Sequence, residues 1–310
     1  MPSRPGGCEL GPRPIDLHLS SLEKLGVKIT EGHGYLDCHL PDVLRGAVIT
    51  LPFPSVGATE NILLAACTAV GETIIHNPAR EPEIDDLIGF LNRAGADINI
   101  REGGSIYIRG VQDLDSVEYS AIPDRIAGAT YLCCAAITGG SILLKDTAPE
   151  HMTAILPILE EMGCNLDIRD SAIYLKAPRR LRPAKLVRTM PYPGFPTDMQ
   201  APLMSLCCLA GGTSVFVENI FESRYKHVCE LARMGAKISV EGRVAVVEGT
   251  PILHGAPVAC TDLRGGAALV VAALAANSIS EITEISHIER GYQNFDKNLS
   301  SLGAIITTDG

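Results

Sequence analysis

One position in this sequence repeatedly holds a cation of the kind that binds phosphate or carboxylate groups. The residues at this position are Arg13, Arg80, His151, Arg224 and Arg290. Each lies 11–15 residues before an X-Gly-X corner, where a loop is expected to enter a helix. A helix N-terminus attracts anions, and a guanidinium beside it can clamp an oxyanion with two hydrogen bonds. The alternative is that each arginine is an ordinary surface residue or pairs with a nearby glutamate.

Two Thr-Asp pairs could supply carboxylates for proton transfer. Asp198 follows Thr197, Asp262 follows Thr261, and an apolar run comes after each pair. A carboxylate in such a place can act as a general base, or it can simply cap the helix that follows. Cys8, beside two glycines, is likewise either a reactive thiol on a mobile loop or an inert side chain. The residue types alone leave these alternatives open.

The predicted helices and strands that position these residues belong to an internal repeat. The corners are centred on Gly26, Gly95, Gly163, Gly235 and Gly303. Their spacings are 69, 68, 72 and 68 residues, and glycine is the expected residue just after a helix because it adopts the left-handed conformation. Each full unit is predicted to run helix, strand, helix, strand, strand, which indicates an α/β architecture of pseudo-symmetric repeats.

The predicted helices and strands recur at similar positions relative to the corners. Apolar helices are expected at 61–70, 129–136, 199–209 and 267–276, and one or two strands are expected after each corner, as at 97–100 and 105–108. The first unit begins only near Arg13, so the chain holds about four and a half units. A closed set of six units would need about 414 residues, so we expect roughly a hundred residues to be missing at the N-terminus.

Composition excludes several classes of protein. Hydrophobic residues make up 46% of the 310 residues and charged residues 20%, which is ample for a buried core. The net charge of −10 argues against a general nucleic-acid binder. The longest apolar run has ten residues, too few for a membrane span. The ten cysteines form no CxxC pair and no metal-ligand cluster is evident, so we expect a cytoplasmic protein without a metal.

The stretch 191–202, Pro-Tyr-Pro-Gly-Phe-Pro-Thr-Asp-Met-Gln-Ala-Pro, closely resembles the UDP-N-acetylglucosamine 1-carboxyvinyltransferases, also called enolpyruvyl transferases. Further matches are Pro-Gly-Gly-Cys at 5–8, Gly-Pro-Arg-Pro-Ile-Asp-Leu-His at 11–18, Pro-Ser-Val-Gly-Ala-Thr-Glu-Asn at 54–61, Thr-Asp-Leu-Arg at 261–264 and His-Ile-Glu-Arg-Gly-Tyr at 287–292. These motifs are long, specific and in order, and the resemblance extends from Pro5 to the C-terminus.

The resemblance implies an inside-out α/β barrel architecture with six βαβαββ-type units, three in each of two domains. Residues 1–122 would be the remainder of the first, incomplete domain, and residues 123–310 the second domain. Members of the family begin with about one and a half further units, which carry a Lys-Asn pair and another arginine of the substrate site. An inactive chain, or one that pairs with a separately encoded N-terminal segment, is therefore an alternative to an active enzyme.

The implied reaction transfers the enolpyruvyl group of phosphoenolpyruvate to the 3-hydroxyl of UDP-N-acetylglucosamine and releases phosphate, with no cofactor. It is the first committed step of peptidoglycan synthesis. Cys8 matches the proton donor that fosfomycin alkylates in related enzymes. Asp198 matches the preferred base, and Asp262 a residue of proton transfer. The sister enzyme acting on shikimate 3-phosphate is a rival that the Pro-Gly-Gly-Cys loop and the nucleotide segment at 13–17 disfavour.

The resemblance also implies the residues that hold the two substrates. Phosphoenolpyruvate would be held by Arg13, Arg264 and Arg290. UDP-N-acetylglucosamine would be held by Arg13, Pro14, Ile15, Asp16, Leu17, Ser55, Val56, Gly57, Thr197, Asp198, Ile220 and Phe221. The alternative for Phe221 is an ordinary core residue, and Arg224 is interpreted as structural.

Overall fold

A computed structural model describes residues 15–32 and 35–308, which form two compact units. The first unit contains the described residues up to Ile122 together with Pro191–Pro193. The second contains Pro123–Met190 and the described residues from Gly194 onwards. Each unit has its own apolar core.

The repeat corners are built alike. Their φ angles are +103° at Gly26, +103° at Gly95, +102° at Gly163, +91° at Gly235 and +104° at Gly303. This is the left-handed region in which a Cβ atom is strained, so glycine ends each helix and turns the chain into the next segment. The predicted role of the corner glycines is confirmed.

The described part of the first unit contains three helices and two sheets. The helices are α1 (Asp16–Lys24), α2 (Val56–Ala66) and α3 (Pro82–Arg93). The strands are β1 (Lys28–Glu31), β2 (Leu36–His39), β3 (Val48–Thr50), β4 (Glu72–His76), β5 (Asp97–Ile100) and β6 (Ile106–Arg109). β1 and β2 form an antiparallel pair. The other four lie in the order β3-β4-β6-β5, with only β3 and β4 parallel.

The second unit contains seven α-helices and three sheets in its described residues. The helices are α4 (Arg125–Ile137), α5 (Leu156–Glu161), α6 (Gln200–Cys207), α7 (His227–Arg233), α8 (Leu263–Ala273), α9 (Ser286–Glu289) and α10 (Phe295–Ser301). Short 3-10 helices at Pro149–Met152 and Thr197–Met199 precede α5 and α6.

The strands of the second unit are β7 (Ser141–Lys145), β8 (Asn165–Arg169), β9 (Ala172–Lys176), β10 (Leu186–Arg188), β11 (Thr213–Val217), β12 (Lys237–Glu241), β13 (Val244–Glu248), β14 (Pro257–Ala259) and β15 (Glu281–Thr283). They form sheets in the orders β7-β9-β8, β10-β11-β13-β12 and β14-β15. β10 pairs in parallel with β11, and β14 pairs in parallel with β15. The sheets lie around the apolar helices α4, α6 and α8, whose side chains fill the core.

Two complete βαβαββ units are present: β3-α2-β4-α3-β5-β6 and β10-α6-β11-α7-β12-β13. The pseudo-symmetric α/β prediction is confirmed, but some boundaries were wrong. α2 begins at Val56 rather than residue 61, because Ser55 accepts a hydrogen bond from the N–H of Ala58 and so caps the helix earlier. The strand expected after the last corner is not formed in residues 304–308, for which the structure describes no hairpin partner.

Candidate functional site

Asp198 lies between two arginines in the second unit. Its Oδ1 accepts a hydrogen bond from Nη2 of Arg224 at 2.8 Å, and its Oδ2 accepts one from Nε of Arg264 at 3.1 Å. The Asp198 side chain is 39% exposed, whereas Arg224 and Arg264 are 4% and 11% exposed. The carboxylate therefore faces solvent with two buried cations behind it. It does not cap α6, so the N-cap alternative for Asp198 was wrong.

The charge state of Asp198 follows from this geometry. Burial by itself would raise the pKa of the carboxyl group, but the charges of Arg224 and Arg264 outweigh that effect and the net pKa is lowered. Asp198 is therefore an anion at neutral pH. Nε of Arg224 and Nη1 of Arg264 are buried and have no hydrogen-bond partner among the described residues. Two N–H donors thus remain for a further acceptor.

Arg264 is held from its other side by an aromatic residue. Its guanidinium carbon lies 5.3 Å from the centroid of the Tyr292 ring. The Tyr292 hydroxyl shares a 2.9 Å hydrogen bond with the hydroxyl of Thr130 on α4. Burial raises the pKa of Tyr292, so the hydroxyl stays protonated at neutral pH. Residues from three repeats therefore fix the orientation of Arg264.

A buried glutamate organises the loops around Asp198. Glu218 follows β11 directly and is 1% exposed. Its Oε1 accepts hydrogen bonds from the hydroxyl of Thr189 and from the N–H groups of Ile220 and Phe221, at 2.8–3.1 Å. Its Oε2 accepts one from the hydroxyl of Thr197 at 3.0 Å. Glu218 therefore ties together three of the residues that the sequence assigned to sugar-nucleotide binding.

Asp262 lies at the start of α8 and is 2% exposed. Its Oδ1 accepts hydrogen bonds from the N–H groups of Arg264 and Gly265, both at 3.0 Å. This is the N-cap geometry that the sequence allowed for Asp262. The fully buried His227 lies nearby at the start of α7; burial lowers its pKa to about 4, and the Arg224 charge acts in the same direction against the opposing charge of Asp262.

In the first unit, the starts of α1 and α2 lie together. Ser55 caps α2, and Val56 and Gly57 form its first turn. A Cβ atom on Gly57 would lie 2.9 Å from Cε1 of His18, and Nδ1 of His18 is 2.6 Å from Nδ2 of Asn61. His18 follows Ile15, Asp16 and Leu17, which begin α1. The structure therefore brings two predicted nucleotide-binding segments together at a helix N-terminus.

The recurring cations do not occupy equivalent surroundings. Arg224 is buried against Asp198, and its guanidinium carbon lies 5.6 Å from the centroid of the Phe221 ring. Arg290 is exposed at the end of α9, and Arg80 is exposed before α3 in the first unit. Arg264, which is outside the recurring set, makes the second contact to Asp198. Cys8, Arg13 and Pro14 lie outside the described residues.

Three residues of this site were missed by the sequence reasoning: Glu218, Tyr292 and His227. Glu218 carried a usable signal, since it is an acid that directly follows an apolar strand. Tyr292 ends the His-Ile-Glu-Arg-Gly-Tyr motif, and His227 begins a helix. Nothing in the sequence spacing indicates that Tyr292 lies beside Arg264 or that the charge of Arg224 acts on His227.

Residues 15–32 and 35–308 contain no helix that is both long and apolar enough to cross a membrane. The same residues contain no group of three or more His, Cys, Asp or Glu side chains placed to hold a metal ion.

A single protein-family model matches nearly the whole chain. Residues 3–299 match the model for EPSP synthase (3-phosphoshikimate 1-carboxyvinyltransferase). Over 305 residues the chain is 52% identical to UDP-N-acetylglucosamine 1-carboxyvinyltransferase 1 of Symbiobacterium thermophilum, covering 98% of this chain and 69% of the relative. It is 49% identical over 304 residues to the protein of the same name from Clostridium acetobutylicum, covering 98% and 72%.

Solved structures show the same fold. The enolpyruvyl transferase NikO from Streptomyces tendae superposes with a TM-score of 0.87 at 25% identity, covering 94% of this chain and 72% of that one. An EPSP synthase from Acinetobacter baumannii superposes with a TM-score of 0.70 at 22% identity, covering 96% and 72%. The second likeness concerns the fold alone.

Proposed function

The chain belongs to the enolpyruvyl (1-carboxyvinyl) transferase family matched by the EPSP synthase model, and we propose that it transfers the enolpyruvyl group of phosphoenolpyruvate to UDP-N-acetylglucosamine. The sugar 3-hydroxyl loses its proton and its oxygen bonds to C2 of phosphoenolpyruvate, while C3 gains a proton. Loss of a proton from C3 then breaks the bond from C2 to the phosphate oxygen. The products are the enolpyruvyl ether of the sugar nucleotide and phosphate.

The observation that carries the proposal is the partly exposed Asp198 carboxylate backed by two buried arginines. Asp198 is the proposed base for the sugar hydroxyl. Because its pKa is lowered, the carboxylate is ionised and free of a proton before the substrate arrives. A lowered pKa also makes it a weak base, so its contribution rests on position more than on basicity.

The buried arginines are the proposed binding site for the oxyanions of phosphoenolpyruvate. Arg264 offers Nη1, which has no partner among the described residues, and Arg224 likewise offers Nε. Guanidinium groups bind phosphate and carboxylate with strong, directional hydrogen bonds. Arg13 and Arg290 are assigned to the same substrate on the family resemblance.

Two groups are proposed to move the proton at C3. Cys8 is assigned as the donor on the resemblance of the Pro-Gly-Gly-Cys loop. Asp262 is assigned to proton transfer. This role is compatible with its capping of α8, because the cap uses Oδ1 only. Among the contacts of the described residues, Oδ2 accepts only the 3.3 Å hydrogen bond from the Thr261 hydroxyl. No cofactor or metal enters the proposal.

The proposed contacts of the sugar nucleotide are assigned segment by segment. Ser55, Val56 and Gly57 would present first-turn N–H groups to the diphosphate, as helix N-termini do for phosphate ligands. Arg13, Pro14, Ile15, Asp16 and Leu17 would line the uridine. Thr197, Ile220 and Phe221, all tied to Glu218, would contact the sugar next to Asp198.

The wider assignments follow from this reaction. We place the protein in bacterial peptidoglycan synthesis and in the cytoplasm; the nine described cysteines are all free thiols, as in a reducing compartment. We assign residues 1–122 and 123–310 to the first and second domains, supported by the division of the structure at Ile122 and Pro123. No nucleic-acid partner is proposed. A further N-terminal segment from a separate polypeptide is included as a partner.

Phosphate release from phosphoenolpyruvate tests the proposal. The chain is incubated with phosphoenolpyruvate and either UDP-N-acetylglucosamine or shikimate 3-phosphate. We expect phosphate only with the sugar nucleotide, and loss of the signal with Cys8→Ala or after fosfomycin treatment. Asp167→Asn, a surface aspartate paired with Arg169, serves as the matched control for Asp198→Asn.

Each result has a defined meaning. Release with shikimate 3-phosphate would replace the proposed acceptor by that of the sister enzyme. Release that persists in Cys8→Ala and in Asp198→Asn would remove both residues from the mechanism. If a folded chain releases no phosphate with either acceptor, even after an N-terminal segment from a relative is added, the proposed activity is wrong for this chain.

A further inference from the structure

His227 is a buried histidine to which the proposed reaction gives no role. It is the first residue of α7 and is 0% exposed, and neither Nδ1 nor Nε2 has a hydrogen-bond partner among the described residues. Burying a polar group without a partner costs free energy of folding. The ring therefore has hydrogen-bonding capacity that its described neighbours leave unused.

The corresponding position is apolar in three other repeats. His227 lies eight residues before the corner glycine Gly235. The same count from the other corners leads to His18, Leu87, Ile155 and Phe295. Ile155 and Phe295 are 1% and 5% exposed and belong to the core of the second unit. An apolar side chain therefore packs well at this place in the repeat, and packing alone does not call for the imidazole of His227.

Gly265 brings His227 close to Asp262. Gly265 lies in the first turn of α8, which packs against α7. A Cβ atom on Gly265 would lie 2.7 Å from Oδ2 of Asp262 and 3.2 Å from Cβ of His227. Both side chains thus border the same small space, which is open because residue 265 has no side chain. His227 and Asp262 are therefore neighbours across this glycine.

The surroundings of the ring determine its protonation state. Burial lowers the pKa of His227 to about 4, the charge of Asp262 raises it, and the charge of Arg224 lowers it. At neutral pH the imidazole is therefore neutral, with one N–H donor and one acceptor nitrogen. Asp262 uses Oδ1 to cap α8, whereas its Oδ2 accepts only from the Thr261 hydroxyl among the contacts of the described residues. An N–H without a described partner thus lies near an oxygen that can accept another hydrogen bond.

We propose that His227 is a positioning residue for Asp262, and that one of its ring N–H groups donates to Oδ2 when the substrates are bound. This hydrogen bond aims the carboxyl group at C3 of phosphoenolpyruvate, where the proposed reaction moves a proton. His227 itself neither takes nor gives up a proton in this step. Hydrogen bonds of proton-transfer groups are often long in the free enzyme and tighten in the substrate complex.

The inference rests on the proposed function, because Asp262 needs a positioning partner only if it handles the C3 proton. The alternative for His227 is a purely structural role in the packing of α7 against α8. A structural role predicts that substitutions change stability and the amount of active chain. A positioning role predicts that they change the proton-transfer step itself.

Steady-state kinetics of the whole chain with UDP-N-acetylglucosamine and phosphoenolpyruvate test the inference. His227→Phe keeps a flat ring but has no N–H, so kcat should fall about tenfold with KM nearly unchanged. With phosphoenolpyruvate deuterated at C3, the isotope effect on kcat should be larger in this variant than in the wild type, because proton transfer becomes the slower step. A loss of active chain alone would leave the isotope effect unchanged.

Two amide variants keep an N–H donor at this position. The amide nitrogen of His227→Asn can lie near the place of Nδ1, and that of His227→Gln near the place of Nε2. At least one of them should recover kcat to within about threefold of the wild type, and the better one identifies the donating nitrogen. His254→Phe, at an exposed histidine of the same unit, is the matched control and should leave kcat and the isotope effect unchanged.

Gly265→Ala tests the same contact from α8. The added Cβ would press on Oδ2 of Asp262 and on Cβ of His227, so kcat should fall as it does in His227→Phe. The double variant should lose little more than either single variant, because both changes remove one shared contact.

A measurement without substrate tests the contact between the two side chains. The nitrogen NMR shifts of the His227 ring at neutral pH should change in Asp262→Asn and stay constant in the surface control Asp167→Asn. The inference is overturned if the ring shifts do not respond to Asp262→Asn, if His227→Phe keeps the kcat and isotope effect of the wild type, or if both amide variants are as slow as His227→Phe. A wild-type chain without turnover would reject the proposed function, a result that differs from all three of these.

Discussion

Nε of Arg264 donates to Oδ2 of Asp198 at 3.1 Å, although the two residues are 66 positions apart in the chain. Asp198 lies in the short 3-10 helix that leads into α6, and Arg264 lies in the first turn of α8, so corresponding ends of two successive repeats meet at this contact. The repeat therefore does more than duplicate a fold. It places a carboxylate from one copy against a guanidinium from the next.

Asp198→Asn should destabilise the chain at neutral pH by about 1–3 kcal/mol, because Arg224 and Arg264 would lose their counter-charge while remaining buried. The carboxylate is partly exposed, which keeps the effect below that of a fully buried pair. Its pKa is lowered in the folded state, so the stabilisation is complete above about pH 4 and is lost as the pH falls through the folded value. Urea unfolding at a series of pH values measures this.

The surface pair Asp167 and Arg169 provides the comparison for that experiment. Asp167→Asn removes a 2.8 Å ion pair whose side chains are both more than half exposed, and should change stability by no more than about 0.5 kcal/mol. A difference between wild type and Asp198→Asn that stays constant below pH 4 would contradict the charge assignment.

His227→Phe should flatten the pH dependence of stability between about pH 6.5 and pH 4. The folded-state pKa of His227 is lowered to about 4 by burial, so the unfolded chain binds a proton in this window that the folded chain does not. Stability therefore falls as the pH falls, with a contribution from this residue of at most about 1.4 kcal/mol per pH unit. Urea unfolding followed by circular dichroism gives the slope.

His227→Asn is the companion variant, since it also removes the proton site but leaves a smaller, polar side chain. Both variants should lose the same part of the slope, even where their stabilities at pH 7 differ. An unchanged slope in both would show that His227 is protonated equally in the folded and unfolded chains.

Glu218→Gln should lower stability by about 1–3 kcal/mol, because an amide cannot accept from all four donors that the carboxylate satisfies. In the proposed reaction it should also raise the KM for the sugar nucleotide, since Thr197 and the Ile220–Phe221 backbone lose their common anchor. The control is Glu222→Gln, whose 73% exposed side chain contacts Arg243 at 3.6 Å. Equal effects of the two variants would refute the organising role of Glu218.

Gly57→Ala should leave the fold intact and weaken sugar-nucleotide binding. The new Cβ would lie 2.9 Å from Cε1 of His18 and displace the ring, while alanine favours the helix by up to about 1 kcal/mol. We expect the KM for the sugar nucleotide to rise about tenfold with little change in kcat. The matched control is Gly89→Ala on α3, where the new Cβ would lie 2.9 Å from the hydroxyl oxygen of Tyr119; this variant should not alter KM.

The repeat was predictable because its signals are local. A glycine after a helix reports a left-handed backbone directly, and all five corners adopt it. Helix starts were less accurate, since caps such as Ser55 and Asp124 begin helices before the apolar residues do. The absence of a strand in residues 304–308 could not be foreseen either, because a strand depends on a hydrogen-bonded partner outside its own segment.

The site was only partly predictable. Asp198 and Arg264 were identified from motifs, but their contact depends on how two helices pack and is not encoded in the spacing of either motif. Arg224 was interpreted as structural, and it is buried against Asp198. Glu218 was overlooked because its importance lies in the four donors that converge on it, and three of them are on loops.

The two guanidinium N–H groups behind Asp198 that have no described partner have a practical consequence for handling the protein. A desolvated donor of this kind takes any tetrahedral oxyanion, whether or not it is a substrate. Sulfate in a crystallisation drop and phosphate in an assay buffer would therefore compete for the same atoms. Kinetic work is best done in buffers without oxyanions, so that the phosphate released in the proposed reaction is not joined by a competing buffer anion.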